Sequence, residues 1–172
     1  MRIGILTGGG DCPGINAVIR AVALKAWESS ADVVGIKDGW AGLLGEPQTI
    51  RLNPDVISGI LPRGGTILGT SRTNPMKREK GMDEVIRSLS LLEINALVAI
   101  GGDDTLSVAN ELYKRGGKVI GVPKTIDNDL RNTDYTFGFD TAIQVVTEYL
   151  DRLHTTAESH HRAIVVEVMG RH

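Results

Sequence analysis

Residues 96–123, ALVAIGGDDTLSVANELYKRGGKVIGVP, decide the fold class. The opening run ALVAIG is almost entirely apolar, as expected for a strand that is covered on both faces of a sheet. The segment after it places Leu106, Ala109 and Tyr113 at helical spacing, and the apolar run KVIGVP closes the stretch. A buried strand, a helix and a second buried strand in succession predict a parallel βαβ unit.

The same alternation extends outward in both directions. Further strands are predicted at RIGILT (2–7), ADVVGI (31–36) and AIVVEV (163–168). Further helices are predicted from Ile15, over residues 80–92 and from Phe139 to Leu153. We therefore expect an α/β fold with a doubly wound, mainly parallel sheet and helices on both faces. Because a strand at 163–168 would normally lead into a helix, we also expect the chain to be incomplete at its C-terminus.

The composition is that of one globular domain and excludes several kinds of partner. The chain has 172 residues, of which 41% are hydrophobic and 23% are charged, and its net charge is -2. No basic run suggests a nucleic-acid partner, and no apolar run approaches the roughly 18 residues that a membrane span requires. The single cysteine, Cys12, allows no internal disulfide and is expected to be a small buried residue. We expect a cytoplasmic protein with no membrane partner.

Glycine-rich or acidic clusters follow four of the predicted strands. They lie at residues 7–14, 101–105, 123–129 and 169–171. In parallel sheets, ligands bind outside the carboxyl ends of the strands. The four clusters are therefore expected to converge on one binding site.

The cluster TGGGDCPG (7–14) offers backbone N–H groups beside a helix start, which is a common arrangement for phosphate binding. It matches neither the dinucleotide nor the P-loop fingerprint, so a structural turn capped by Asp11 is an equal alternative. In RGGTILGTSRTNP (63–75), Arg72 is either a clamp for an oxyanion or a solvated side chain. The residues alone leave both questions open.

The cluster PKTIDND (123–129) carries a lysine, a hydroxyl and two carboxylates within seven residues. A base, a cation and a polar positioning group can therefore act together there, although a capped turn is the alternative. The cluster GGDDT (101–105) is the unusual one, because two carboxylates stand where the start of a helix would favour an anion.

Taken together, these segments resemble the phosphofructokinase family. The matching stretches are TGGGDCPGINAVIR, RGGTILGTSR, GGDDT, PKTIDNDL, DYTFGFDTA and VEVMGR, in the family's order and spacing. The resemblance covers the N-terminal half of a family member. It implies transfer of a phosphoryl group to the 1-hydroxyl of fructose 6-phosphate, with Mg²⁺ as cofactor, in a homo-oligomer that is a dimer or a tetramer.

The resemblance assigns roles on the acceptor side. Asp127 matches the general base that takes the proton of the sugar hydroxyl, and Asp129 matches an acid that supports the site. Arg162 matches an arginine that reaches the sugar phosphate of a neighbouring subunit. The implied substrate-binding residues are Thr125, Ile126, Asp127, Asp129, Arg162, Met169, Gly170 and Arg171.

On the donor side, Asp103 matches the acid associated with magnesium, and Arg72 matches an arginine that stabilises the transferring phosphoryl group. The implied donor-binding residues are Gly10, Arg72, Gly102, Asp104, Thr105 and Lys124. Those implied to contribute to catalysis are Asp127, Arg72, Lys124 and Asp104. Phosphoryl transfer depends mainly on such positioning and charge neutralisation.

Asp104 and Lys124 bear on the choice of donor. In the family that the chain resembles, members that use ATP usually have glycine at the position of Asp104. Members that use pyrophosphate have aspartate there and lysine at the position of Lys124. A carboxylate about 4 Å from a phosphate oxygen costs roughly 4 kcal/mol at an effective dielectric near 20. The helix dipole offers only about 0.3–1 kcal/mol at a surface site. Asp104 is therefore expected to exclude the α-phosphate of ATP, which makes pyrophosphate the expected donor.

Two alternatives remain: an ATP-dependent enzyme of the same family, and a sugar-phosphate-binding fragment without turnover. We assign residues 1–138 to a donor-binding α/β domain and residues 139–172 to the start of a sugar-phosphate-binding domain. The isolated chain is expected to be inactive, because the resemblance places the rest of the sugar site beyond it.

Overall fold

A computed structural model describes residues 1–170 of the chain. The strands are β1 (Arg2–Thr7), β2 (Asp32–Ile36), β3 (Thr49–Arg51), β4 (Ala96–Gly101) and β5 (Val119–Pro123). The α-helices are α1 (Ile15–Glu28), α2 (Pro54–Ile57), α3 (Gly81–Leu91), α4 (Asp103–Lys114) and α5 (Phe139–Ser159). Two short 3₁₀ helices lie at Gly39–Leu43 and Pro75–Lys77.

The five strands form one sheet in the order β3-β2-β1-β4-β5. All neighbours are parallel except β2 and β3, which are antiparallel. The chain builds outward from β1 to β2 and then returns to place β4 on the other side of β1. The strand order therefore reverses between β1 and β4, where Thr7 stands opposite Ile100. In open α/β sheets, this topological switch point is where a ligand crevice forms.

Helices cover both faces of the sheet, as the alternation of strands and helices predicts. Successive residues of a strand point to opposite faces, so Ile5 and Leu6 of β1 enter two different cores. The first core packs Ile5 against α1, and the second packs Leu6 against α3 and α4. The predicted fold class, a mainly parallel α/β sheet, is confirmed.

The predicted apolar face of α4 is wrong in part. Tyr113 is 68% exposed, and the buried residues of the helix are Thr105, Val108, Ala109 and Leu112. The rotation of the helix is set at its first turn, where the Thr105 side chain packs against Gly101 and Gly8. A Cβ atom on either glycine would come within about 2.5 Å of Thr105, so both positions require glycine while Thr105 faces the sheet.

The predicted strand at 163–168 is also wrong. The run pairs with no strand among residues 1–170, and Val165 is 96% exposed. An apolar run becomes a strand only beside a partner that satisfies its N–H and C=O groups, and in the described structure the sheet ends at β5. Within residues 1–170, no helix has the length and apolarity needed to cross a membrane.

Candidate functional site

A cavity of about 530 Å³ lies at the switch point, outside the carboxyl ends of β1, β4 and β5. All four predicted clusters contribute to its lining, and so does the segment around Arg72. The predicted site residues that it brings together are Gly10, Arg72, Gly102, Asp103, Asp104, Thr105, Lys124, Thr125, Ile126, Asp127, Asp129 and Met169. The other three predicted residues are not among them. Arg162 and Gly170 do not line the cavity, and Arg171 lies outside the described residues.

The glycine-rich loop forms one wall of the cavity and is anchored by its backbone. Gly8 N–H donates to the Ile100 carbonyl at 2.9 Å, and Gly9 N–H donates to the Ser71 carbonyl at 2.9 Å. Thr70 Oγ1 donates to the Gly9 carbonyl at 2.6 Å. A Cβ atom on Gly10 would meet nothing within 4 Å, so the backbone there is open to a ligand. Helix α1 begins after Gly14 without a side-chain cap, so the alternative of a turn capped by Asp11 is wrong.

Lys124 follows β5 directly and is only 5% exposed. Its Nζ donates to the Gly10 carbonyl, which links the loops after β1 and β5. Burial lowers the pKa of its ammonium group, while the neighbouring Cys12, Asp11 and Asp127 act to raise it. A cation held at the junction of two loops is well placed to attract a phosphate oxygen, because the low dielectric of the interior strengthens its field.

Cys12 is 2% exposed, as predicted for a buried residue. Its thiol donates to the Pro13 and Phe137 carbonyls at 3.4 and 3.5 Å. Burial raises the pKa of the thiol to about 11, against the opposing effect of Lys124. The thiol is therefore protonated at neutral pH, and it lacks the thiolate character that a nucleophile needs.

The loop 124–129 is folded by its own side chains. Thr125 Oγ1 donates to Asp129 Oδ1 at 2.9 Å and accepts the Asp127 N–H at 3.1 Å. Asn128 has a positive φ of 52°, and its Oδ1 accepts the Thr136 N–H at 2.9 Å. These bonds hold the backbone in a tight turn and leave the Asp127 side chain exposed at the cavity. The loop is therefore a capped turn, and the same turn presents the Asp127 carboxylate to the cavity.

Asp103 and Asp104 form the first turn of α4, after the N-cap residue Gly102. Both are exposed and line the cavity. Asp104 Oδ1 accepts a hydrogen bond of 2.9 Å from the side-chain amide of Asn74. Arg72 is also exposed at the cavity, and it forms no ion pair with another residue of the described chain. The position of Arg72 is therefore compatible with both alternatives, a solvated side chain and a clamp for an oxyanion.

The sequence patterns did not single out three polar residues that support the lining of the cavity: Asn74, Asn128 and Thr136. Asn74 and Asn128 lie in turns, and the Asn-Pro pair at 74–75 is a signal for a turn or a helix cap. That signal indicates the local conformation only. The partners of Asn74 and Thr136 come from elsewhere in the chain, 30 and 11 residues away.

Comparisons with known proteins agree on one family. The phosphofructokinase family model matches residues 2–172. Over its whole length, the chain is 61% identical to a pyrophosphate--fructose 6-phosphate 1-phosphotransferase from Amycolatopsis mediterranei and covers 50% of it. It is also 54% identical, over its whole length, to an ATP-dependent 6-phosphofructokinase 3 from Streptomyces coelicolor, again covering 50%. The chain therefore spans about half the length of these curated relatives.

Among solved structures, a phosphofructokinase from Saccharomyces cerevisiae superposes with a TM-score of 0.87. The superposition covers 99% of this chain and 26% of the yeast chain, at 34% sequence identity.

Proposed function

The chain belongs to the phosphofructokinase family, and we propose that it acts within a full-length protein as a pyrophosphate-dependent phosphotransferase. The proposed reaction transfers a phosphoryl group from inorganic pyrophosphate to the 1-hydroxyl of fructose 6-phosphate, which gives fructose 1,6-bisphosphate. The observation that carries the proposal is the convergence of Asp104, Lys124 and Asp127 on one cavity.

In the proposed mechanism, Asp127 accepts the proton of the attacking hydroxyl. Its carboxylate is exposed at the cavity, and the turn held by Thr125 fixes its backbone. A general base must lie within hydrogen-bond reach of the proton it removes, and a rigid turn keeps it there. We propose that Thr125, Ile126, Asp129 and Met169 surround the sugar on the same side.

On the donor side, we propose that Gly10, Gly102 and Thr105 provide the backbone and hydroxyl contacts, while Lys124 and Arg72 neutralise charge. Lys124 is the buried cation and Arg72 the exposed one, so their roles differ. Lys124 is held at a constant position by the Gly10 carbonyl. Arg72 is exposed at the cavity, where its guanidinium can stabilise the charge that develops on the phosphoryl group.

Phosphofructokinases generally use Mg²⁺, and the side chains at the cavity fit such an ion. Mg²⁺ keeps several waters and binds through one or two carboxylates together with substrate phosphates. Asp103 is an exposed carboxylate beside the proposed phosphate site. The described residues contain no group of three or more ligand side chains that could hold a metal by themselves, so the phosphates are expected to complete the coordination. The bound ion would neutralise part of the negative charge of the phosphates.

ATP is the second candidate donor, because relatives that share 54% identity with the whole chain carry the name of the ATP-dependent enzyme. Asp104 argues against it. Its carboxylate stands at the start of α4, where a third phosphate would need to approach the helix. We also propose that the donor-binding domain ends at residue 138 and that the sugar-phosphate-binding domain begins at residue 139. The full-length protein is proposed to be a cytoplasmic homo-oligomer in which Arg162 reaches a neighbouring subunit. Gly170 and Arg171 are proposed to lie beside the sugar.

The test follows the formation of fructose 1,6-bisphosphate by the full-length protein. Fructose 6-phosphate and Mg²⁺ are supplied with pyrophosphate or with ATP in parallel reactions. Activity with pyrophosphate alone is the expected result. Activity with ATP alone would overturn the donor assignment and leave the family assignment intact. The 172-residue chain serves as a control and is expected to be inactive.

A further inference from the structure

Asn74 is a buried residue whose side chain makes one contact on each of its two polar atoms. It is 8% exposed and stands at the N-cap of the 3₁₀ helix Pro75–Lys77. Its Oδ1 accepts the Met76 N–H at 2.9 Å, which fixes the orientation of the amide. Its Nδ2 then donates to Asp104 Oδ1 at 2.9 Å. The cap therefore aims the amide donor at a carboxylate 30 residues away in sequence.

The backbone on the N-terminal side of Asn74 is fixed by the wall of the cavity. The Ser71 carbonyl accepts the Gly9 N–H, and Thr70 Oγ1 donates to the Gly9 carbonyl. Ser71 Oγ also donates to the Asp38 carbonyl at 2.7 Å. Asn74 is consequently held by its own cap and by a preceding segment, Thr70 and Ser71, that is bonded to the glycine-rich loop.

Asp104, by contrast, is an exposed residue in the first turn of a helix. Without a partner, an exposed carboxylate exchanges among staggered rotamers, and its distance from a bound phosphate changes with each of them. Because the repulsion between two charges depends on that distance, a mobile carboxylate discriminates less between ligands. A hydrogen bond from an amide to a carboxylate is charge-assisted and restricts this motion.

We propose that Asn74 is a positioning residue for donor selection: its amide holds the Asp104 carboxylate in the orientation that disfavours ATP relative to pyrophosphate. The proposal rests on the proposed function, in which Asp104 excludes the α-phosphate. It adds a residue outside the recognised phosphate loops and links the segment 70–74 to the choice of substrate.

The test is a double-mutant cycle in the full-length protein with Asn74→Ser and Asp104→Gly. Serine retains a side-chain oxygen for the cap but is too short to reach Asp104. The measured quantity is the ratio of the Kd for ATP to the Kd for pyrophosphate, obtained by calorimetry with Mg²⁺ and without fructose 6-phosphate. Asn74→Ser is expected to lower this ratio by roughly tenfold, because the released Asp104 carboxylate can rotate away from the α-phosphate and lose part of its repulsion. In the Asp104→Gly background, it is expected to change the ratio by less than about twofold.

Asn53→Ser provides a matched control. Asn53 also caps a short helix before a proline, and its Oδ1 accepts the Val56 N–H at 2.9 Å. It is exposed and lies outside the cavity, so its replacement is expected to leave the ratio unchanged. The KM for fructose 6-phosphate is expected to stay constant in Asn74→Ser, which separates loss of positioning from general damage to the site.

Two outcomes would overturn the inference: an equal shift caused by Asn74→Ser in both backgrounds, or no shift in either. The first would mean that Asn74 acts only through its helix cap. The proposed function fails on a different measurement, namely the absence of turnover with pyrophosphate in the unmodified protein. The binding cycle compares variants with that protein, so it can fail for Asn74 while the unmodified protein still turns over pyrophosphate.

Discussion

Helices α4 and α5 have similar apolar periodicity but differ in how many residues they bury. Helix α4 buries four residues against the sheet, whereas α5, with 21 residues, buries none. The same contrast separates the two regions to which they belong. Residues 2–130 contain both cores and nearly the whole lining of the cavity, while residues 139–170 expose large apolar side chains such as Val165 and Tyr149. An amphipathic pattern thus predicts a helix reliably, but only a partner surface decides what it buries.

The largest expected effect compares one proposed substrate residue from each region. In the full-length protein, Asp127→Asn is expected to lower kcat with pyrophosphate by about 10²–10⁴-fold, because the general base is lost. Arg162→Ala is expected mainly to raise the KM for fructose 6-phosphate, by roughly tenfold or more, through loss of a charged contact. Steady-state kinetics separate the two.

Asp134→Asn is the matched control for Asp127, since Asp134 is exposed and lies outside the cavity. A kcat for Asp127→Asn within about threefold of the unmodified value would remove the base from the proposed mechanism.

A stability comparison addresses the two helices directly. Leu112 of α4 is 1% exposed, and Leu112→Ala is expected to reduce the free energy of unfolding of the 172-residue chain by about 2–5 kcal/mol. Leu150 of α5 is 37% exposed, and Leu150→Ala is expected to cost about 0.5 kcal/mol or less. Urea unfolding of both variants measures the difference.

The same two substitutions in the full-length protein test whether α5 is covered there. If the cost of Leu150→Ala rises toward that of Leu112→Ala, α5 is covered there by other parts of the protein. Equal losses of unfolding free energy in the 172-residue chain itself would contradict the difference between the helices, because α5 would then be packed in a way that the structure does not contain.

Cys12 tests the contact between the first region and the segment that leads into α5, since its thiol donates to the Phe137 carbonyl. With its pKa raised by burial to about 11, the thiol has roughly a hundredfold less thiolate at pH 8 than an ordinary cysteine. Alkylation by iodoacetamide is expected to be slower by at least that factor in the folded chain than in urea. Equal alkylation rates in the folded and unfolded chains would show that the contact opens readily.

The raised pKa of Cys12 also makes the stability of the chain depend on pH. The contribution of the buried, protonated thiol to the free energy of unfolding is present below about pH 9 and is lost as the pH rises through 11.

The smallest effect concerns two glycines, Gly101 at the end of β4 and Gly10 in the lining of the cavity. A Cβ atom on Gly101 would lie 2.4 Å from Cβ of Thr105, so Gly101→Ala is expected to destabilise the chain by about 1–3 kcal/mol. A Cβ atom on Gly10 meets nothing, so Gly10→Ala is expected to change the stability by less than about 0.5 kcal/mol. Thermal unfolding checks both. Equal losses of stability would contradict the distinction between a glycine required by packing and a glycine open to a ligand.

Much of the fold follows from local patterns. The parallel strands and the long helices are readable because their apolar periodicity reflects burial on two faces of a sheet. The short edge strand β3 has too weak a pattern to be recognised, and its pairing with β2 is a contact between distant residues. The rotation of α4 was mispredicted because Thr105, a residue with a polar group, is buried against Gly8 and Gly101.

Sequence alone was sufficient for the α/β class and the four loop clusters, because glycines, carboxylates and apolar runs at strand ends are local features, and for the family through the matching stretches. Tertiary structure alone decided that Lys124 reaches the Gly10 carbonyl, that Asn74 holds Asp104 and that the run at 163–168 forms no strand. These outcomes depend on distances between segments far apart in the chain. Hydrogen-bond partners and burial are properties of the packed molecule, and no local pattern contains them.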